Sequence, residues 1–539
     1  MTSPYLRVRR ADGALAWIAP ADLAGTGAAR PVAFAFGLPV LDIFATELLI
    51  GLFQYAVAPA GERDLVRLLR QPPDAASLRA TFADAAPGFD AYGATPAFQD
   101  ASLGHEAPSP IGRLLPTAAG EQTRKRNQDI LQGEIAAMRP EAAMVALAFI
   151  QAHSPAGGRG TRTSLTGGGP LRTWVVRDTL YGTVLANLLP RRDFEALGTD
   201  GGAAVDPLPW RAGFKGKRTQ DNTPASHIYF ACPRRILLAA PEAADPARAC
   251  DVTGEVNVPL VTAMRQKAEG PDYESTGWRH PLTPYVQRKD KGDIKPFPKL
   301  AATLTLGAAW RERWGLFADA GSAGREGPVA AESVRRWRDT RARYLDRRQV
   351  RVRAFGLRCD NAKVESVVDL PFVFRAFPAE SPEAIKLFEE HLGDIVRVGD
   401  EMARWLRFCI IEALNGEGTV KAMPRDLERE RQIAFWEETE SAFQDYVNDL
   451  AEALAQGDDV HGADDVHGAL ASPDRQRARR DFQRFLQKTA IRLFDAVCAP
   501  ALDTDAARQV TQARIKLWRG TGKSAHSGID NTVLETEKA

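Results

Sequence analysis

The stretch between residues 154 and 174 carries the residue types best suited to bind an anion. Glycine permits positive φ angles and close approach of the backbone to a ligand, and consecutive exposed N–H groups form an anion-binding nest. Arginine adds a charge that pairs with phosphate. Glycines and arginines are concentrated in this stretch, at Gly157, Gly158, Arg159, Gly160, Arg162, Gly167, Gly168, Gly169 and Arg172. The pattern predicts a loop that a polyanion approaches, with a flexible surface loop as the alternative.

The glycine loop matches neither of the standard phosphate-binding motifs. No lysine follows the glycines as in a P-loop, and the G-x-G-x-x-G spacing is absent. The residues after the loop predict a short strand around Trp174–Val176 and a helix from about Thr179 to Leu188. An enzyme that binds a nucleotide through this loop therefore stays open as one hypothesis.

Three further polar positions could contact nucleic acid. A basic run lies at Arg124, Lys125, Arg126, Asn127 and Gln128, and Lys267 stands alone in MRQKAEG. Asn361 lies in a polar turn between Arg358 and Lys363, where its amide could reach base edges. The alternatives are a solvated charge run, a solvated hairpin tip and a turn residue that bonds its own main chain.

Composition narrows the class of protein. Of 539 residues 44% are apolar and 26% charged, and the net charge is +1, so a nucleic-acid surface must come from local clustering. Five distant cysteines and eight scattered histidines form no recognisable metal or catalytic constellation, which predicts a reducing cytoplasm and no metal, cofactor or enzymatic activity. The longest apolar stretch is interrupted by Glu47 and Gln54, so no membrane span is expected.

Hydrophobic periodicity predicts the elements that position these residues. The N-terminal part reads as a hairpin around Asp12, followed by helices over about 42–58, 62–70, 75–85 and 141–152. The basic segment 332–363 begins as helix and continues as a strand from Gln349 to Leu357.

The last 160 residues predict an antiparallel four-helix bundle. Its helices cover about 382–414, 426–454, 472–498 and 503–519, with a mobile linker over 456–471. Ser472 is the predicted N-cap of the third helix, with Pro473 at its first position. That helix carries basic side chains that predict one exposed face for backbone contact with nucleic acid: Arg475, Arg477, Arg479, Arg480, Arg484 and Lys488.

The order of these features resembles the CasA family, the large subunits of the type I-E CRISPR surveillance complex Cascade. The pieces that carry the resemblance are RVRRADG, LPVLDIFATELLIGLFQYAVAP, SPAGGRGTRTSLTGGGPLRTWVVRDTLYGTVLANLLP, PASHIYFACPRRI, GWRHPLTPY and FGLRCDNAK. They occur in the family's order over nearly the whole chain.

The resemblance implies an α+β fold with a large mixed α/β N-terminal domain of the CasA type, residues 1–375, and a four-helix bundle, residues 376–539. It implies a cytoplasmic, non-enzymatic subunit that reads the protospacer-adjacent motif (PAM) of double-stranded DNA from the minor groove. Such a subunit also initiates duplex opening, stabilises the displaced strand and helps recruit a helicase–nuclease. The implied partners are the other Cascade subunits, the crRNA, the target DNA and that effector.

The resemblance also assigns roles to individual positions. The PAM-reading glycine loop corresponds to Gly157, Gly158, Arg159 and Gly160. The turn that wedges the duplex corresponds to Asp360, Asn361 and Ala362, with Asn361 where the family often has glutamine. The loop near the crRNA handle corresponds to Lys125, Arg126, Asn127 and Gln128. Lys267 corresponds to a minor-groove lysine. Independently of the resemblance, the basic face of the third bundle helix predicts DNA contacts at Arg475, Arg479, Arg480 and Arg484. A purely structural scaffold that holds RNA is the remaining alternative.

Overall fold

The structure is a computed structural model, and it describes most of the chain. The described residues are 2–117, 134–155, 160–199, 205–274, 277–304, 310–319, 326–345, 349–360, 363–375, 382–415, 425–455, 463–503 and 506–519.

The N-terminal segment forms the hairpin that the sequence predicts. Strands β1 (Leu6–Arg10) and β2 (Leu15–Ile18) pair antiparallel, and β3 (Pro31–Phe34) pairs with the other edge of β1. Gly13 has a φ of +86° in the connecting turn, a conformation that side chains with a Cβ rarely adopt.

One helix of the N-terminal part of the chain is almost wholly buried. Helix α1 (Pro39–Ala56) has 14 buried residues and packs against its helical neighbours. The other helices up to residue 345 are α2 (Glu62–Arg70), α3 (Ala75–Ala85), α4 (Pro140–Ala152), α5 (Leu180–Ala186), α6 (Arg191–Glu195), α7 (Pro209–Ala212), α8 (His227–Phe230), α9 (Trp310–Trp314), α10 (Glu332–Arg336) and α11 (Ala342–Leu345). By length and composition α1 could cross a membrane, but 78% of it is buried inside the protein.

Further strands follow β3 along the chain. They are β4 (Pro108–Pro110), β5 (Leu171–Val175), β6 (Lys217–Arg218), β7 (Arg235–Leu238), β8 (Ala263–Lys267), β9 (Asp272–Tyr273), β10 (Tyr285–Asp290), β11 (Asp293–Pro298), β12 (Gly327–Val329), β13 (Gln349–Asp360) and β14 (Lys363–Arg375). Strand β8 lies between β4 and β7, and β13 lies between β14 and β5. The segment around Pro233 is a helical turn followed by β7.

The C-terminal helices are α12 (Pro382–Asn415), α13 (Arg425–Ala455), α14 (Ala463–Leu470), α15 (Pro473–Cys498) and α16 (Ala507–Arg519). The Ser472 side chain caps α15 by accepting from the Arg475 backbone N–H, as predicted. The prediction of a mobile linker over 456–471 is wrong for its described part, because α14 forms there. Its Val466 is fully buried and α14 packs against α12.

The chain divides into two compact units. The first comprises residues 1–303, 330–346 and 350–374, and the second comprises 304–329, 347–349 and 375–539. The second unit thus includes α9. The predicted division at residue 375 places this helix in the N-terminal domain instead. Trp310 of α9 stacks on Phe443 at 4.2 Å between ring centroids and donates to Thr439 Oγ1. This aromatic contact explains why α9 belongs with the C-terminal helices.

Candidate nucleic-acid interface

The described residues on either side of the predicted glycine loop meet just after the end of α4. Ser154 donates its hydroxyl proton to the Ile150 carbonyl, which fixes the second residue after the helix. The Ser164 N–H donates to the Ser154 carbonyl at 3.2 Å. The two ends of the segment between these serines are therefore held together. Gly157, Gly158 and Arg159 lie outside the described residues.

Gly160 is the described member of the predicted PAM-reading set. Its φ is +76°, and its carbonyl accepts from the Glu269 N–H at 2.8 Å. A Cβ at this position would lie 3.2 Å from Ala268 Cβ and 3.2 Å from Glu269 Cγ. Both the backbone angle and the space therefore favour glycine here.

Lys267 lies beside this contact, at the end of β8. Its side chain is 49% exposed, and Nζ contacts Glu106 Oε1 at 2.6 Å. The ion pair holds the pKa of Glu106 below its ordinary value, chiefly through the hydrogen bond from Lys267. The structure thus brings together Gly160 and Lys267, which are more than 100 residues apart in the chain.

A buried charged network lies beneath the loop. Glu47 of α1 accepts from Arg172 Nε at 2.9 Å and contacts His153 Nε2 at 2.7 Å. Arg172 also donates to the hydroxyls of Thr166 and Thr283. His153 follows α4 and Arg172 lies on β5, so the network links the two elements that flank the loop. Sequence analysis missed this network, although a carboxylate inside an apolar helix is a signal that it needs a partner.

Electrostatics explain how the buried charges are tolerated. Glu47 is 3% exposed and Arg172 is 2% exposed. Burial raises the pKa of Glu47, but His153 and Arg172 outweigh that effect and keep its pKa well below the ordinary value. Burial and the Arg172 charge lower the pKa of the neighbouring His280. The network therefore contains a carboxylate that stays ionised against a guanidinium.

The far end of the loop presses against the strand β13. A Cβ on Gly169 would lie 2.4 Å from the Leu357 carbonyl oxygen, and one on Gly356 would lie 2.6 Å from the Pro170 carbonyl oxygen. Two glycines thus permit a close backbone approach that no side chain would allow. Asp360 ends β13, next to the turn that the resemblance assigns as a wedge.

A comparison with known protein families identifies the family of this chain. The sequence profile of the family described as CRISPR-associated protein Cse1 matches residues 1–493. The chain belongs to the Cse1 family. This confirms the resemblance to CasA, which is the other name that solved structures of the family carry. No curated protein sequence matches the chain significantly.

Solved structures share the fold at low sequence identity. CasA of Thermus thermophilus superposes with a TM-score of 0.62 at 16% identity, covering 96% of this chain and 98% of the other. Cse1 of Thermobifida fusca gives 0.64 at 15% identity, covering 96% of each chain. A chain of a CRISPR RNA-guided surveillance complex gives 0.65 at 16% identity, covering 96% and 98%. The mixed α/β fold predicted from the CasA resemblance is therefore confirmed.

Several predicted contact positions of this Cse1 chain are not described. The wedge residues Asn361 and Ala362 lie outside the described residues. So do the four positions predicted near the crRNA handle, Lys125, Arg126, Asn127 and Gln128. Their assigned roles stay predictions.

The arginines of α15 lie on two faces rather than on the one exposed face predicted. Arg480 and Arg484 are exposed, and Arg484 Nη1 lies 3.7 Å from Asp481. Arg475 and Arg479 are half-buried, and both lower the pKa of nearby Tyr446 against the larger effect of burial, which raises it to about 12. The physical reason is helical geometry, because residues four apart share a face while 475 and 480 do not.

The described cysteines and histidines show no metal-binding arrangement. Among the described residues, no group of three or more His, Cys, Asp or Glu side chains could hold a metal ion. Buried Cys250 accepts instead from the N–H groups of Arg139 at 3.3 Å and Thr253 at 3.4 Å. Its thiol therefore serves as a packed hydrogen-bond acceptor.

Proposed function

We propose that this chain is the large subunit of a type I-E Cascade-like surveillance complex and reads the PAM of double-stranded target DNA. Its partners are the other Cascade subunits, the crRNA, the duplex target and a helicase–nuclease effector, and it acts in the cytoplasm without catalysing a reaction itself. Family membership and the likeness to a surveillance-complex chain support this proposal.

The observation that carries the proposal is the contact between Gly160 and the turn after Lys267. It combines backbone without a side chain, which fits the narrow minor groove, with an exposed ammonium group that can approach acceptors there. The glycine loop and Lys267 together read the shape of the minor groove. Basic side chains elsewhere contact phosphates and supply DNA affinity that carries no sequence information.

Duplex opening would begin at the turn after Asp360. Opening costs about 0.6–2.2 kcal/mol per base-pair step, and pairing with the guide RNA returns most of it. The subunit then needs only to nucleate opening with the wedge residues Asp360, Asn361 and Ala362. The C-terminal helices would form the antiparallel four-helix bundle of residues 376–539, whose exposed arginines Arg480 and Arg484 hold the displaced strand.

A binding experiment with a randomised flank tests PAM reading. The complex is assembled with and without this subunit, and duplex targets retained on a filter are sequenced. Enrichment of a short flanking motif only with the subunit is the expected result. Equal retention of all flanks in both samples would overturn the proposal.

Two glycine variants then locate the contact. Gly160→Gln places a side chain against Ala268, whereas Gly254→Gln is a matched control with a φ of +71° and nothing within 4 Å of its Cβ. Loss of a groove contact is worth about 1–3 kcal/mol, so Gly160→Gln should weaken binding of the preferred flank by about 5- to 150-fold. The control should bind like wild type, and equal behaviour of the two variants would argue against the glycine loop.

A further inference from the structure

Arg234 lies against the first residues of the glycine loop. Its guanidinium donates from Nη2 to the Pro155 carbonyl at 2.6 Å. Its backbone N–H donates to Gln151 Oε1 at 3.0 Å, and Gln151 Nε2 donates back to the Arg234 carbonyl at 2.8 Å. The arginine is therefore fixed to the end of α4 at the point where the loop begins.

The charge of Arg234 has no acidic partner among the described residues. Burial lowers its pKa to about 10, with no carboxylate acting against that effect. Its Nε is buried and unpartnered, while the side chain as a whole is half-buried and Nη1 makes no hydrogen bond within the described chain. The next residue, Arg235, is different because its Nε pairs with Asp100 Oδ2 at 2.6 Å.

A half-buried guanidinium without a counter-ion is costly to the folded protein. A bound anion would offset this free-energy cost by supplying the missing negative charge. Glu269, on the turn whose Gly270 lies against Pro233, is exposed, and the pKa of Arg234 shows no influence of its carboxylate. The observation therefore points to an external anion rather than to an internal salt bridge.

The surroundings of Arg234 are those of the proposed DNA contact. Arg235 pairs with Lys267 across β7 and β8. A Cβ on Gly270 would lie 2.1 Å from the Pro233 carbonyl oxygen, so the turn after Lys267 runs directly along the residue before Arg234. The same turn holds Gly160 through Glu269. Arg234, Lys267 and Gly160 thus belong to one continuous patch.

We propose that Arg234 is a phosphate-binding residue of this interface. Through Nη1 its guanidinium contacts a backbone phosphate of the duplex that the glycine loop approaches. This inference rests on the proposed function, since it takes that duplex as the ligand. A phosphate contact positions DNA without reading sequence, so Arg234 contributes affinity and not PAM preference.

Salt dependence of binding tests the role of Arg234. The assembled complex carrying Arg234→Gln is titrated with a preferred-flank duplex and with a scrambled-flank duplex between about 50 and 300 mM salt. Removing one phosphate contact should reduce the slope of log K against log salt by about 0.9 for both duplexes. The affinity for both should fall by the same factor, about 5-fold or more at low salt.

Two further variants separate charge from structure. Arg234→Lys keeps the charge and should keep the wild-type salt slope, even if lost hydrogen bonding to Pro155 weakens binding. Arg192→Gln removes an exposed charge from α6 and should change neither slope nor affinity. An unchanged slope in Arg234→Gln would overturn the proposal, and so would a reduced slope in Arg234→Lys.

The two proposals fail in different ways. If the wild-type complex shows no flank preference, PAM reading is refuted, yet the slope on scrambled duplex still reports whether Arg234 binds phosphate. If flank preference is present and Arg234→Gln alters only that preference, the phosphate role is refuted while PAM reading stands.

Discussion

The buried pair between Glu47 and Arg172 predicts a large and non-additive effect on stability. Arg172→Met removes the guanidinium and leaves a carboxylate that is 3% exposed, beside the imidazoles of His153 at 2.7 Å and His280 at 3.8 Å. Removing one partner of a buried ion pair destabilises proteins by about 3–5 kcal/mol, because the remaining charge is uncompensated. We expect Arg172→Met and Glu47→Leu each to fall in that range.

The double variant should be much less damaging than the sum of the two. With both charges replaced by apolar side chains of similar length, no ion remains buried, and the main losses are the hydrogen bonds to Thr166, Thr283 and His153. These losses amount to about 1–3 kcal/mol. The coupling between the two substitutions is therefore expected to exceed about 3 kcal/mol.

Calorimetry of the full-length chain measures these effects. For the first compact unit, the typical unfolding entropy per residue gives a total unfolding entropy of about 0.7 kcal/mol/K. A loss of about 3–5 kcal/mol in the free energy of unfolding therefore lowers the Tm of this unit by about 4–7 °C. Arg351→Met is a matched control, because Arg351 pairs with Asp178 while both side chains are exposed, at 44% and 79%. Such surface pairs contribute less than about 1 kcal/mol. A shift for Arg172→Met no larger than that of Arg351→Met, or an additive double variant, would refute the reasoning.

Two other predictions concern backbone space and pH. Gly169→Ala should lower the free energy of unfolding by about 2 kcal/mol or more, because its Cβ would lie 2.4 Å from the Leu357 carbonyl oxygen. Gly13→Ala, whose Cβ would lie in open space, should lower it by about 1 kcal/mol. Thermal unfolding measures both variants, and equal losses would contradict the close approach at Gly169. Burial lowers the pKa of His227 to about 4, so its contribution to stability is complete above pH 6.5 and is lost as pH falls towards 4, by up to about 1.4 kcal/mol per pH unit. His227→Gln should flatten the fall in Tm between pH 6.5 and 4.5. An unchanged profile would show that other titratable groups cause this fall.

Local patterns predicted the elements well, because capping and periodicity act over a few residues. The hairpin at Gly13, the helix beginning after Asp74 and the cap at Ser472 are each determined by neighbouring residues. Asp74 accepts from the Ser77 N–H at 2.7 Å, a contact between residues three apart in the sequence. Interactions of this length are visible in a single sequence.

Long-range contacts could not be predicted in the same way. In the sequence Gln54 only interrupts an apolar stretch, but in the structure it is 1% exposed and exchanges two hydrogen bonds with the Leu189 backbone. Glu47 looked like an interruption of an apolar stretch, and its partner Arg172 lies 125 residues away. Periodicity shows that such polar groups need partners, but only the fold determines which residues supply them.

The proposed interface combines buried charges with exposed side chains, and this division predicts how it would discriminate between flanking sequences. Lys267 already has Glu106 as a partner, so a DNA acceptor replaces an existing exposed contact and the net gain is small. In the proposed contact Gly160 makes no such exchange, because a glycine there would contribute space and not a side-chain contact. The Glu47–Arg172 pair holds the elements on either side of that space at fixed positions. Discrimination between flanks should therefore depend more on the shape that the loop admits than on the strength of the lysine contact, and Lys267→Ala should weaken binding less selectively than Gly160→Gln.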